Sequence, residues 1–237
     1  MPNDELKTIQ QELKTLADPT IAEHSQRFFK TGKGEYGEGD KFLGIRVPIL
    51  RKLVKKYQTL SIEQTIILLR SQYHEERLLA LLMLVNTFEK GDQTTQKNIY
   101  TLYLENTHYI NNWDLVDSSA PKIVGAYLFD KNRKPLYTLV KSRNFWKQRI
   151  SILATFYFIK NNEFEDTLNI SEQLLNHKED LIHKAVGWAL REVGNKDISV
   201  ERMFLDKHYN TMPRTMLRYA IEKFPEQLRQ DYLKGNI

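Results

Sequence analysis

Hydrophobic residues recur along this chain at the three- and four-residue spacing of α-helices, and strand-like alternation is scarce. Near the start, Leu6, Ile9, Leu13 and Leu16 fall on one face of a helix. Later segments keep this spacing, and the segment that begins near Arg77 is almost entirely apolar. A helix that is hydrophobic on all sides is typical of the buried centre of a protein. The pattern predicts an all-α fold.

The starts of several predicted helices recur at a regular interval. From Arg77 to Asp114, Arg149, Lys184 and Thr215 the steps are 37, 35, 35 and 31 residues. An interval of this length is typical of a two-helix repeat, in which each pair of helices contacts only its neighbours. We therefore predict one domain over residues 1–237, an α-solenoid whose inner helices line a concave groove.

A glycine-rich segment interrupts the helical pattern. Residues 31–40 contain four glycines, which predicts a loop without regular structure. The apolar stretch that follows ends at Pro48, a residue suited to the first turn of a helix.

Composition excludes several classes of site. The chain of 237 residues has 41% hydrophobic residues, enough for one sizeable core, and it has no cysteine for disulfides or thiolate-bound metals. Its six histidines form no H-x-x-x-H pair, and no glycine-rich phosphate motif opens a helix after a strand. No apolar run approaches the roughly 18 residues of a membrane span. We expect no metal, no cofactor and no membrane partner, and a cytoplasmic, nucleoid-associated protein.

Positive charge is segregated along the chain although the net charge is only +5. Residues 131–149 contain seven basic residues and no acid, and a second basic run follows Asp40. Scattered surface charge is ordinarily just solvated, whereas segregation of this kind also suits a phosphate backbone. The two interpretations are about equally supported by the sequence.

Residues 112–118 bring an indole and acids together at helical spacing. Trp113 and Asp117 are four residues apart and would share a helix face. Asn112 is a candidate N-cap, and Asp114 in the first turn suits the positive end of the helix dipole. Asp117 lies beyond the capping positions among apolar neighbours. We therefore interpret Asp114 as a helix-start residue and Asp117 as the candidate for chemistry.

The three tryptophans fall on three successive predicted inner helices. Trp113 is followed by Trp146 and Trp188, and each of them alone would more often be a core residue. Their recurrence favours a shared groove. Arg149 closes the basic stretch within an apolar run, which favours a phosphate contact. Arg191 could also contact DNA, or could form a plain surface ion pair with Glu192.

A lone carboxylate beside indoles suits one kind of bond cleavage. It can stabilise an oxocarbenium-like sugar cation and orient a water molecule. If the leaving base is already cationic, it departs as a neutral molecule and needs no general acid. Aromatic faces beside the sugar would add about 0.5 to 2 kcal/mol each. No serine or cysteine nucleophile with a nearby histidine indicates acyl transfer.

Three motifs resemble those of the AlkD-type alkylpurine DNA glycosylases, over about residues 5 to 225. They are Trp113-Asp114-x-Val116-Asp117, Phe145-Trp146-x-Gln148-Arg149 and Lys184-Ala185-x-Gly187-Trp188-x-Leu190-Arg191-Glu192, and the segment Phe42-Leu43-Gly44-Ile45-x-x-Pro48 is also similar. The resemblance implies a HEAT-like α-solenoid with a concave basic face that holds duplex DNA and removes cationic N3- and N7-alkylated purines. It also implies that the damaged base is not drawn into a pocket.

The resemblance assigns roles to four residues. Asp117 would be the catalytic carboxylate, Trp113 and Trp188 the indoles beside the lesion's deoxyribose, and Arg149 a phosphate anchor. The remaining residues expected to contact DNA are Lys147, Arg191 and Phe28. Phe28 stands where the family often has a tyrosine, so a phenol contact would be missing. The loop of residues 31–40 would be a flexible element that closes on DNA, or an extra length of loop that the fold tolerates and that has no role.

Three hypotheses follow for function. The first is a monomeric, monofunctional glycosylase without a metal or cofactor, since no lysine is placed as a Schiff-base nucleophile. The second is a non-catalytic helical-repeat protein that binds branched or damaged DNA. The third is a protein-interaction scaffold, which salt dependence would separate from the other two because phosphate contacts weaken steeply with salt.

Overall fold

Residues 2–237 form helices, turns and loops, with one isolated bridge as the exception. The computed structural model describes the backbone of residues 2–237 and the side chains of residues 5–237. The α-helices in chain order are α1 (Pro2–Thr15), α2 (Pro19–Phe28), α3 (Val47–Lys56), α4 (Ile62–Leu69), α5 (His74–Lys90), α6 (Gln93–Glu105), α7 (Trp113–Ala120), α8 (Ala126–Leu128), α9 (Lys134–Val140), α10 (Phe145–Ala154), α11 (Phe156–Lys160), α12 (Glu165–Leu174), α13 (Asp180–Lys196), α14 (Ile198–His208), α15 (Arg214–Ala220) and α16 (Glu226–Lys234). The predicted all-α class is confirmed.

Short helical turns of other kinds complete the architecture. Thr107–Tyr109 and Ile221–Lys223 are 3₁₀ turns, and Pro121–Gly125 is a π-helical turn that follows α7 in the chain. Strand-like pairing within residues 2–237 is limited to an isolated bridge between Lys41 and Tyr73. Over the same range, no helix is both long and apolar enough to cross a membrane.

The chain forms two compact units, residues 1–119 and residues 120–237. Each unit has its own buried centre.

In the first unit, α5 is the central helix. Its residues are buried almost without interruption from His74 to Val85, and α3, α4 and α6 pack against it. The apolar residues on all sides of α5 explain this position, because only a buried site removes every face from water. Its first turn is the exception, since it consists of charged residues that are nonetheless buried.

The loop before α3 is fastened to α5 by a buried carboxylate. Glu75 accepts hydrogen bonds from the backbone N–H groups of Leu43 and Gly44 at 2.8 Å and of Ile45 at 3.2 Å. Gly44 has a φ of +80°, and a Cβ there would lie 2.1 Å from the carbonyl oxygen of Asp18. Only glycine fits this close approach to the start of α2.

The glycine-rich loop is irregular, as predicted, and it is held by its own side chains. Glu35 accepts a hydrogen bond from the N–H of Gly32, and Glu38 accepts one from the N–H of Gly34, both at 2.8 Å. The loop ends at Asp40, which is buried.

In the second unit, α13 is the central helix, and α10, α12, α14 and α15 pack against it. Gly187 allows α15 to come close, because a Cβ at this position would lie 2.4 Å from the carbonyl oxygen of Met216. The predicted 35-residue interval between Arg149 and Lys184 corresponds to the step from α10 to α13.

Candidate active site

Helix α7 begins where the sequence predicts. The buried side chain of Asn112 accepts a hydrogen bond from the N–H of Trp113 at 2.8 Å. Asp114 lies in the first turn and accepts a hydrogen bond from the N–H of Leu115 at 2.9 Å. Both residues therefore satisfy backbone donors that a helix start leaves without partners.

Trp113 is half-buried within a cluster of aromatic rings. Its ring stacks on Phe29 at 5.3 Å between centroids, and Phe28 meets it edge-on at 6.0 Å. Phe29 in turn stacks on Phe42 at 5.2 Å. Phe28 is 58% exposed, so it forms the outer edge of the cluster. Phe28 and Trp113 are thus brought together although 85 residues separate them in the sequence.

A cavity of about 260 Å³ opens beside these rings. Helices α2 and α5, the loop between α2 and α3, and the start of α3 form its wall, with Asp114 from α7. The wall is mainly apolar and aromatic, and it includes Phe28 and Phe29 but neither Trp113 nor Asp117.

Asp117 is half-buried one helical turn after Trp113. Its neighbours Val116 and Ala120 are fully buried, which agrees with the apolar surroundings predicted for it. Burial raises the pKa of Tyr103, and the charge of Asp117 adds to this effect, whereas the hydrogen bond between Tyr103 and Ser119 opposes it. The carboxylate of Asp117 therefore lies close enough to a buried phenol to influence its ionisation.

A buried network of charges, which sequence reasoning missed, adjoins the start of α7. His74 Nε2 lies 2.8 Å from Asp114 Oδ2, and His74 Nδ1 lies 3.6 Å from Asp40 Oδ2. Arg77 Nη2 lies 2.8 Å from the other oxygen of Asp40. Asp114 is thus a helix-start residue, as predicted, and also the ion-pair partner of a buried histidine.

The ionisation of His74 follows from these contacts. Burial by itself would lower the pKa of His74, but the charge of Asp114 and the contacts with Asp114 and Asp40 raise it to about 9. The contacts with His74 and Arg77 also hold the pKa of Asp40 below its usual value, against the effect of burial. A signal was present in the sequence, since a His-Glu-Glu-Arg segment opens an otherwise apolar helix.

In the second unit, Trp188 is half-buried on α13. Its Nε1 donates a hydrogen bond to Glu192 Oε1 at 3.0 Å, and Phe156 meets its ring edge-on at 4.7 Å. Arg191 forms an ion pair with Glu222, and its Nε lies 3.9 Å from Glu192. The ion-pair interpretation of Arg191 therefore matches the structure, and its contact with DNA stays a prediction.

Arg149 is not a solvated charge, because only 4% of it is exposed. Its Nη1 donates a hydrogen bond to the carbonyl oxygen of Leu181 in the first turn of α13. Lys147 is half-buried in the first turn of α10, which Asn144 caps through its side chain. A phosphate contact by Arg149 stays a prediction.

Part of the basic stretch is neutralised within the second unit. Arg133 forms ion pairs with Glu163 at 2.5 Å and with Asp166 at 2.7 Å, and Lys131 pairs with Asp130 at 2.7 Å. The acid-free run in the sequence therefore overstates the positive charge that is available to a partner.

The predicted site residues are divided between the two units. Phe28, Trp113 and Asp117 belong to residues 1–119, whereas Lys147, Arg149, Trp188 and Arg191 belong to residues 120–237. The described side chains bring together no group of three histidine, aspartate or glutamate residues that could hold a metal ion.

Comparison with known proteins gives a family match over most of the chain. A family model described as "DNA alkylation repair enzyme" matches residues 9–224. A solved structure described as a predicted DNA alkylation repair enzyme from Enterococcus faecalis is also similar, with a TM-score of 0.67 and 15% sequence identity. The similarity covers 89% of this chain and 97% of that chain, and at this identity it shows the fold alone. No curated protein matches the chain.

Proposed function

The chain belongs to the DNA alkylation repair enzyme family, and from this premise we propose that it is a monofunctional DNA glycosylase. Its substrates would be cationic alkylated purines of the 3-methyladenine and 7-methylguanine type in duplex DNA, and the bond broken would be the N-glycosidic bond.

One observation carries the proposal. Helix α7 bears a half-buried carboxylate, Asp117, one turn after a half-buried indole, Trp113. The indole packs against the rings of Phe29 and Phe28. An aromatic face and a half-buried carboxylate on one helix suit the stabilisation of a developing sugar cation.

The reaction requires little from the protein beyond electrostatics. The bond between C1′ and the base nitrogen breaks, both electrons leave with the cationic base, and the base departs neutral. The sugar becomes an oxocarbenium-like cation, which the Asp117 carboxylate stabilises. A water molecule oriented by Asp117 adds to C1′ and gives up a proton to the carboxylate, which leaves an abasic site.

The other residues of the proposed site act beside the sugar or on the DNA backbone. Trp113 and Trp188 would lie beside the deoxyribose of the lesion, and the family resemblance supports this assignment for both indoles. Arg149, with Lys147 and Arg191, would contact phosphates, and Phe28 would contact the DNA through its exposed ring. These contacts would supply affinity and orientation without reading sequence.

The proposal is tested by base release from methylated duplex DNA. We expect the wild type to release 3-methyladenine and 7-methylguanine, and Asp117→Asn to lower the single-turnover rate by about 10² to 10⁴-fold. The reason is that the amide keeps the shape of the side chain but loses the negative charge. Free bases are quantified by chromatography over time.

The control is Asp130→Asn, which removes an exposed carboxylate paired with Lys131 and should leave the rate unchanged. Unchanged release by Asp117→Asn would show that Asp117 is not the catalytic carboxylate. Absence of release by the wild type, with binding to the same DNA retained, would favour the non-catalytic DNA-binding hypothesis.

A further inference from the structure

Two segments that are distant in the sequence meet at one buried imidazole. His74 is 2% exposed, and it contacts Asp114 in the first turn of α7 and Asp40 at the end of the glycine-rich loop. Asn111, just before α7, also donates a hydrogen bond to Asp40 at 3.3 Å. The start of α7 is therefore joined to the loop and to α5 at a single point.

The charges at this point balance one another. Asp40 and Asp114 are negative, and His74 and Arg77 are positive, with the two cations on α5. Around them, Glu75 is occupied by the loop N–H groups, and Arg46 lies on the wall of the adjacent cavity. Removing one member of a buried ion pair leaves an uncompensated charge, which is strongly unfavourable.

The two ring nitrogens of His74 face different carboxylates at different distances. Nε2 is within hydrogen-bond distance of Asp114 Oδ2 at 2.8 Å, whereas Nδ1 lies 3.6 Å from Asp40 Oδ2, which is an ion-pair distance and too long for a hydrogen bond. Two carboxylates beside one buried ring favour its imidazolium form. The pKa of about 9 means that the cation predominates at neutral pH. The positive ring also lies 4.6 Å from Phe42 and 4.9 Å from Phe29.

These contacts reach Trp113 by two routes. The first route runs through Asp114. His74 contacts one oxygen of this carboxylate, and the other oxygen accepts a hydrogen bond from the N–H of Leu115 in α7. Through Phe29, the imidazole packs on the same ring that stacks on Trp113. The backbone and the indole at the start of α7 are thus both supported by His74.

We propose that His74 is a positioning residue, which holds the start of α7 so that Trp113 and Asp117 keep the orientation that base excision requires. The consequence for catalysis rests on the function proposed above, whereas the positioning of Trp113 does not. His74 contacts no substrate in this scheme and acts through Asp114 and Phe29.

The positioning is tested first without any DNA. The protein is labelled with 5-fluorotryptophan, and its three ¹⁹F resonances are assigned with Trp113→Phe, Trp146→Phe and Trp188→Phe. We expect the Trp113 resonance of the wild type to shift with pH, with a midpoint near 9. The ring C–H resonances of His74, assigned with His74→Gln, should follow the same midpoint.

Substitutions provide the second arm. His74→Gln should abolish the titration of the Trp113 resonance, because the amide has no charge to lose. His108→Gln is the matched control, since His108 is exposed in the same unit, and it should leave that titration intact. A Trp113 resonance that stays constant between pH 7 and 10 in the wild type would overturn the proposal, and so would a His74 midpoint near 6.5. The titration of the wild-type Trp113 resonance can be measured even if His74→Gln does not fold.

Base release provides the third arm. A displacement of about 1 Å at a reacting centre costs about 10²-fold in rate. We expect His74→Gln to lower kcat by about 10- to 100-fold with little change in KM, because phosphate contacts elsewhere hold the DNA. The double variant His74→Gln/Asp114→Asn should lower kcat no further than either single variant, since both substitutions break the same contact.

Unchanged kcat in a folded His74→Gln would refute the positioning role. Absence of base release by the wild type would refute the glycosylase activity. The ¹⁹F titration would then still decide whether His74 positions Trp113.

Discussion

At the scale of single residues, two buried ionisable groups, His74 and Glu201, have opposite surroundings. His74 lies between two carboxylates, Asp40 and Asp114, whose contacts raise its pKa to about 9. Glu201 on α14 is 1% exposed, and its Oε1 has no hydrogen-bond partner among the described residues. It lies against Gly194, where a Cβ would be 1.6 Å from Glu201 Oε2. Burial raises the pKa of Glu201 to about 8, although the charge of Arg191 opposes this effect.

The raised pKa of Glu201 predicts a dependence of stability on pH. A carboxyl group whose folded pKa lies above its ordinary 4.5 stabilises the fold fully below pH 4.5, and this contribution is lost as pH rises through 8. We expect Glu201→Gln, which cannot ionise, to be more stable than the wild type at pH 9 by a few kcal/mol. The two proteins should be similar at pH 5.

Urea unfolding at pH 5, 7 and 9 measures this difference. Glu89→Gln is the control, because Glu89 is exposed and its removal should not change the pH dependence. Parallel pH profiles for Glu201→Gln and the wild type would show that Glu201 ionises normally in the folded protein.

At the scale of elements, the position of α2 relative to α5 depends on one loop. Glu75 on α5 accepts hydrogen bonds from three backbone N–H groups of this loop. On the other side, the N–H of Asp18 before α2 donates a hydrogen bond to the carbonyl oxygen of Leu43 in the loop at 2.9 Å. Gly44 lies where loop and helix come closest. The aromatic residues that contact Trp113 are at the end of α2, so this loop also orients the aromatic cluster.

Two glycines with nearly the same positive φ allow the cost of backbone strain to be distinguished from the cost of a steric collision. Gly44 and Gly34 have φ of +80° and +79°, but a Cβ at Gly34 would meet nothing within 4 Å. We expect Gly34→Ala to cost about 1 kcal/mol from the left-handed conformation alone. Gly44→Ala should cost at least about 2 kcal/mol more, because its Cβ would collide with the backbone of Asp18 and Ala22.

Thermal and urea unfolding of the two variants gives the comparison. Equal losses of stability would mean that the loop and α2 can move apart at little cost to admit a Cβ. Gly44 would then be required only for its backbone conformation.

At the scale of the whole molecule, the net charge of +5 is modest, and several cations already have partners. Lys131 and Arg133 are paired with acids, and Arg191 is paired with Glu222. Affinity for DNA would therefore depend on few phosphate contacts, and each contact should be visible in the salt dependence.

The salt dependence of duplex DNA binding tests which cations contact phosphate. Each phosphate contact adds about 0.9 to the slope of log affinity against log salt concentration. We expect Lys147→Gln to reduce the slope by about one. Lys131→Gln is the control, because Lys131 is paired with Asp130, and it should change the slope less.

Fluorescence anisotropy between 50 and 200 mM salt provides the slopes. Equal slopes for Lys147→Gln and the wild type would remove Lys147 from the interface. Binding that is weak and independent of salt would favour the protein-interaction hypothesis for the whole chain.

Several features of the site could be predicted from the sequence because they are local. The start of α7 at Asn112, the first-turn position of Asp114 and the spacing of Trp113 and Asp117 all depend on residues within one or two helical turns. The helical class follows from the same periodicity, and the irregular loop follows from its glycines. The family resemblance also rests on such short motifs.

What the tertiary structure decided depends on pairs of residues that are far apart in the chain. His74 and Asp114 are 40 residues apart, and Phe28 and Trp113 are 85 apart, so no spacing rule could join them. The sequence context of Arg149 favours a phosphate contact, which stays a prediction, whereas its hydrogen bond to the carbonyl oxygen of Leu181 depends on packing. The physical reason is that periodicity fixes which face of a helix is buried, whereas only packing fixes which other element covers that face.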